Sequence, residues 1–128
     1  MKLKLKWVLL SLVTVCSQIS YSAESLDKFI NSHQEEYQQL ALKIWELAEV
    51  GYQEHKSSAL LQESLSSKGF KVETLPYMPT GFIAEYGEGS PVIAILGEFD
   101  ALPGVSQSAS PFKEKYKNNA AGHACGHH

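Results

Sequence analysis

Pro91-Val92-Ile93-Ala94-Ile95-Leu96 is a run of six residues without a charged or hydrogen-bonding side chain. Side chains alternate across a strand, so an uninterrupted apolar run offers apolar groups to both faces. Such a segment reads as a strand buried on both sides, the pattern of sheets with helices packed on them. This requirement narrows the fold class: the rest of the chain has to supply covering layers.

The preceding residues contain two candidates for those layers. From 25 to 50, Leu26, Phe29, Ile30, Tyr37, Leu40, Ala41, Ile44, Leu47 and Ala48 recur at steps of three and four, which predicts an amphipathic helix. Ser25 is placed to cap it, Asp27 to meet its dipole, and Gly51 to stop it. Residues 55 to 68 predict a second helix with Ala59, Leu60, Leu61 and Leu65 inward, ended by Gly69. The period then shortens to two. Phe70 to Leu75 and Gly81 to Tyr86 read as strands, and Gly87 to Pro91 as a turn cluster. Helix, helix, strand, strand and buried strand make an α/β layer with helices packed on a mixed sheet. From Val105 to Gly122 no periodicity is present.

The first 22 residues carry a different signal. Lys2, Lys4 and Lys6 precede an uncharged, mostly apolar stretch from Trp7 to Val15, and Ser20 and Ser22 are small residues at −3 and −1. This predicts an export signal cleaved after Ser22, leaving 23–128 as the mature chain in the periplasm or medium. The apolar stretch is shorter than the ~20 residues of a spanning helix, so no stable membrane span is expected after cleavage. Cys16 after an apolar run allows a lipoprotein signal, but Val15 stands where such a signal carries a small residue. Losing three of the 11 Lys moves the net charge from −3 to −6. An acidic chain without Arg is a poor match for nucleic acid. Cleavage also removes Cys16 and leaves Cys125 alone, open to intermolecular pairing, a reactive thiol or metal ligation.

Chemistry concentrates in two places. Gly122-His123-Ala124-Cys125-Gly126-His127-His128 holds three His and one Cys. Imidazole and thiolate are preferred zinc ligands, and Gly126 lets the backbone turn between Cys125 and His127. Two ligands do not complete a site, and the alternative is a run with no ligand role. Glu98 and Asp100 follow the carboxyl end of the apolar run, where open α/β sheets bind ligands. Carboxylates there can bind a cation or orient a metal-bound His; the alternative is a solvated acidic loop. His33 reads as a satisfied helix residue, His55 as solvated and Trp45 as packed. Neither a phosphate loop nor a G-x-S-x-G nucleophile elbow is present.

Read together, Ile95-Leu96-Gly97-Glu98-Phe99-Asp100-Ala101-Leu102-Pro103-Gly104-Val105-Ser106-Gln107 and Gly122-His123-Ala124-Cys125-Gly126-His127 resemble the N-terminal part of M20-family metallopeptidases. The resemblance is to the amidohydrolase branch, which includes p-aminobenzoyl-glutamate hydrolases, hippurate hydrolases and aminoacylase-like enzymes. Ala48-Glu49-Val50-Gly51-Tyr52-Gln53-Glu54-His55-Lys56-Ser57-Ser58 resembles a helix junction of the same branch. The resemblance implies the N-terminal portion of a zinc-aminopeptidase-like catalytic domain. It also implies a centre of two divalent ions, zinc or manganese, and hydrolysis of the amide bond of N-acyl or N-aroyl amino acids or dipeptide-like substrates. Cys125 and His127 correspond to metal ligands and Asp100 to a residue supporting the centre.

More distant relatives carry a ligating His where this chain has Glu98, so a direct ligand role for Glu98 is open, as is one for His123. Where the branch often has Asp or Asn, this chain has His128. Family members are several times longer, with an inserted dimerisation domain. Their catalytic Glu, a metal-binding Glu beside it and further His ligands lie past the Cys-Gly-His motif. The resemblance therefore leads us to expect an incomplete catalytic domain, inactive alone. A small exported metal-binding protein without catalysis is the alternative, and a remnant without a stable fold a third.

Overall fold

A computed structural model describes residues 2–116 and 121–128, with residues 2–24 described only as helical backbone. The candidate leader, its cleavage point after Ser22 and Cys16 fall in that stretch, so their side chains lie outside the described residues. Among the described residues, no helix is long and apolar enough to cross a membrane. The chain divides into two units, residues 1–38 and 39–128.

Helix α1 spans Lys2–Leu47. It is one helix, with Ser25 and Asp27 inside it and not at its start. The first 50 residues contain neither Gly nor Pro, so nothing local breaks the hydrogen-bond ladder at 25. Within the first unit the apolar stripe is uncovered: Leu26, Phe29, Ile30 and Tyr37 are all exposed. His33 is half-buried, as its position suggested, with Nδ1 2.9 Å from the Phe29 carbonyl and its ring 4.4 Å from that of Phe29.

In the second unit the stripe is buried at its end, at Ile44 and Ala48. The helix stops at Leu47, earlier than Gly51, and the left-handed residues are Ala48 (φ 45°) and Tyr52 (φ 64°). The cause is tertiary. The Glu49 carbonyl accepts the Ala101 N–H at 2.8 Å and Val50 forms a parallel bridge with Ala101, so this segment is drawn out as a strand-like bridge.

Helix α2 spans His55–Ser67 and ends as the sequence suggested. Gly69 sits at φ 87°, and the Phe70 N–H reaches back to the Leu65 carbonyl, satisfying the last turn. His55 is exposed at the helix start. The buried side of α2 differs from the apolar reading: Ser57 and Ser58 are buried, Leu60, Leu61 and Leu65 half-buried and Ala59 exposed. Polar partners explain this. Glu49 takes Ser57, and the Ser58 hydroxyl donates to the Thr80 carbonyl at 2.7 Å.

Strands β1 (Lys71–Leu75) and β2 (Met78–Glu85) form an antiparallel hairpin with Lys71 opposite Glu85 and a bulge between Thr74 and Leu75. A second antiparallel pair joins β3 (Leu102–Pro103) to β4 (Ala121–Gly122). At Gly122 a Cβ would lie 2.7 Å from the Val105 carbonyl oxygen, so only Gly permits this approach. The molecule is thus of mixed α/β class, with its strands in antiparallel pairs.

The apolar run from 91 to 96 corrects the expectation of a buried strand. It forms neither strand nor helix, and Val92, Ile93, Ile95 and Leu96 are 83–94% exposed. A strand is stabilised by a neighbour that takes its backbone groups, and among the described residues none pairs with this run.

Candidate metal centre

The loop carrying Glu98 and Asp100 is held by the residues between and beyond them. Phe99 lies 6.1 Å, ring to ring, from Phe82 of β2, and Ala101 is buried against Glu49 and Val50. In extended chain, alternate residues share a side. Anchoring Phe99 and Ala101 therefore sends Glu98 and Asp100 the other way, together.

They meet His127. Its Nδ1 is 2.9 Å from Asp100 Oδ1 and its Nε2 is 3.2 Å from Glu98 Oε2. The two motifs, 27 residues apart in sequence, are thus brought to one imidazole. A carboxylate only accepts, so the His127 ring donates to Asp100 through Nδ1–H, while Nε2 faces Glu98. A carboxylate bonded to one ring nitrogen in this way orients the imidazole of a ligating His. Cys125 is exposed and in no disulfide among the described residues. Gly126, at φ 76°, makes the turn between Cys125 and His127, and its N–H donates to the His123 carbonyl at 3.1 Å. Among the described residues, no group of three or more His, Cys, Asp or Glu side chains is arranged to hold a metal. What the structure assembles is the His127 pairing with Asp100 and Glu98, with the thiol two residues away.

His123 is used differently. Its Nε2 is 3.1 Å from the Ile44 carbonyl, tying the end of α1 to the Cys-Gly-His turn, and its ring is 5.1 Å from that of His128. Nδ1 is buried with no partner among the described residues. Burial pushes His123 below the usual imidazole range. The Ile44 carbonyl and Asp100 oppose this, and His128 and His127 add to it. The neutral ring with Nε2–H donating to Ile44 is the form this environment favours.

Two hollows flank these residues. One of about 490 Å³ is lined by Leu96, Glu98, Phe99 and His127. The other, about 970 Å³, is lined by Trp45, Val105, Tyr116, His123 and His128. Trp45 packs on Tyr116 at 4.6 Å between ring centres, as its place on α1 suggested.

Sequence reasoning missed the role of Glu49. Its carboxylate accepts the backbone N–H groups of Lys56 and Ser57 and the Ser57 hydroxyl, the last two at 2.8 Å, and so caps the exposed donors of α2. Partial burial pushes its pKa up, but the Ser57 and Lys56 hydrogen bonds and the Lys56 charge outweigh it and hold Glu49 below the ordinary carboxylate range. A Glu six residues before a helix start was the available signal. Glu54 likewise accepts from buried Thr80 at 2.7 Å.

Over most of its length the chain is homologous to the M20 metallopeptidase and amidohydrolase family. It is 40% identical over 106 residues to a p-aminobenzoyl-glutamate hydrolase subunit of Escherichia coli K12, covering 80% of this chain and 22% of that protein. It is 35% identical over 91 residues to thermostable carboxypeptidase 2 of Saccharolobus solfataricus, covering 70% of this chain and 23% of the relative. With N-acetylcysteine deacetylase of Bacillus subtilis 168 it shares 36% identity over 81 residues, 62% of this chain and 21% of that enzyme. No family model matches. The chain thus spans about a fifth of the length of these relatives.

Proposed function

We propose that this chain carries part of the metal centre of an M20-type amidohydrolase acting on the amide bond of N-acyl or N-aroyl amino acids, p-aminobenzoyl-glutamate-like compounds among them. The observation that carries this reading is the hydrogen bond from His127 to Asp100, which joins the two motifs and orients an imidazole two residues from an exposed thiol. Sulfur and nitrogen donors suit a divalent ion, zinc more than manganese. When bound, such a cation lowers the pKa of a water and polarises the amide carbonyl. In this reading Cys125 and His127 are ligands and Asp100 holds the His127 ring. His123 joins the ligand-bearing turn to α1.

The 128-residue polypeptide by itself is expected to be inactive. Among the described residues no group of three or more His, Cys, Asp or Glu is arranged to hold a metal, too few donors for a water shared between two cations. We place residues 1–22 as an export signal and the mature chain, 23–128, outside the cytoplasm.

Zinc titration by calorimetry tests the site. Binding is expected, and to be lost in Cys125→Ser and His127→Ala; equal binding in both variants would put the ligands elsewhere. Assays with p-aminobenzoyl-glutamate and hippurate should show no turnover by the chain with zinc or manganese. Turnover abolished by Cys125→Ser would contradict inactivity and show that a complete site assembles.

A further inference from the structure

Between Ser106 and Tyr116 the chain has neither helix nor strand, yet its own side chains pin it. The Gln107 amide donates to the Phe112 carbonyl at 2.8 Å, and the Ser106 hydroxyl to the Tyr116 carbonyl at 2.8 Å. Ser108 holds Glu114 twice, N–H to carbonyl at 2.8 Å and hydroxyl to carboxylate at 2.9 Å. Glu114 is thereby kept off the hollow of about 970 Å³ beside the end of α1, whereas its neighbours Lys113 and Lys115 both border it. Among the described residues, two ammonium groups border this hollow against one carboxylate, that of Glu46. In a chain of net charge −3, such a local excess of positive charge favours an anion. The lining also holds an aromatic pair: Trp45 and Tyr116 are half-buried, 4.6 Å apart, and keep part of their rings open to the hollow. The volume lies within the ~300–1,000 Å³ of small-molecule sites.

We propose that this hollow binds an aromatic compound bearing a carboxylate, the carboxylate on Lys113 and Lys115 and the ring against Trp45 and Tyr116. A purely apolar ring would leave both ammonium groups without a partner, and a small inorganic anion would leave the aromatic pair uncovered. One molecule carrying both groups satisfies both. An N-aroyl amino acid has that composition, so the inference deepens the substrate reading above and rests on it for the choice of probe. It is independent of the metal, because none of these four residues is a candidate ligand.

The probes are hippurate, hippuramide, which lacks the charge, and N-acetylglycine, which lacks the ring. Each is bound to the intact chain by equilibrium dialysis with a chelator present, so that no metal takes part. Hippurate should bind at least ~10-fold more tightly than either of the others. The double variant Lys113→Ala/Lys115→Ala should weaken hippurate binding at least ~10-fold and leave hippuramide unchanged. Both lysines are exposed, and the pins of the loop are other residues, so the fold should persist, as circular dichroism checks. Lys71→Ala removes a positive charge from β1, away from the lining, and should leave hippurate binding as it was. Glu46→Gln removes the opposing charge and should tighten it, a change that unfolding cannot mimic.

No binding of hippurate, equal binding of hippuramide, or hippurate affinity unchanged in the double lysine variant would each overturn the proposal. So would an equal loss in Lys71→Ala, since net charge alone would then be at work. Zinc titration of the intact chain and of Cys125→Ser judges the metal reading separately, so either can fail while the other stands.

Discussion

Asp100 and His127 owe their meeting to small residues around them. Ala101 is buried at 1% exposure, Gly122 admits the Val105 carbonyl, and Gly126 turns the chain before His127. Two predictions belong at this scale. Asp100→Ala frees the His127 ring without disturbing the buried residues, and should weaken zinc binding about 10–100-fold, measured by calorimetry, with an unchanged circular dichroism spectrum. Gly122→Ala should instead act through the backbone. Its methyl group meets a carbonyl at 2.7 Å, so stability should fall by about 1–3 kcal/mol in urea unfolding. The identities of the candidate ligands were legible in the sequence because Cys, His, Glu and Asp at short spacing mean much the same chemistry wherever they occur. Which nitrogen of His127 faces which carboxylate was not, because that depends on how a loop at 98–101 meets a turn at 122–127.

Between α1 and α2 the chain is organised by polar groups, and hydrophobic periodicity is blind to them. The pattern from 55 to 68 put leucines inward, whereas Ser57 and Ser58 are the buried residues, each donating a hydrogen bond outside α2, to the Glu49 carboxylate and to the Thr80 carbonyl. The ends of α2 were easier to read, because Gly69 acts locally. Glu49 makes the consequence measurable. Replacing it with Gln removes a charged cap and should cost about 1 kcal/mol, within the ~0.5–2 found for caps. Its folded pKa lies below the ordinary 4.5, so its contribution is complete above pH 4.5 and is lost as pH falls through the lowered folded value. Unfolding free energy of the parent chain should therefore drop with acidification below about pH 4.5, and the drop should be smaller in Glu49→Gln. Parallel slopes in the two proteins would remove Glu49 from the account.

For the molecule as a whole, the run from 91 to 96 is the decisive feature. Its composition demands burial on two faces, and the structure leaves its four large apolar side chains in water. The reading of this run as a strand failed for a non-local reason: strand formation needs a partner, and no residue within the run can state whether one is present. Exposed apolar surface of this kind promotes association. The chain should self-associate with rising concentration in light scattering, and Ile93→Lys with Ile95→Lys should suppress it. Association unchanged by both would place the sticky surface elsewhere, for instance on the uncovered stripe of α1.

Whether the two motifs build one metal site, as proposed, is read from X-ray absorption at the zinc edge of the zinc-loaded chain. We predict one sulfur at ~2.3 Å, from Cys125, with nitrogen and oxygen donors at ~2.0–2.2 Å, and loss of the sulfur shell in Cys125→Ser. A shell of nitrogen and oxygen alone in the parent chain, unchanged in Cys125→Ser, would contradict it.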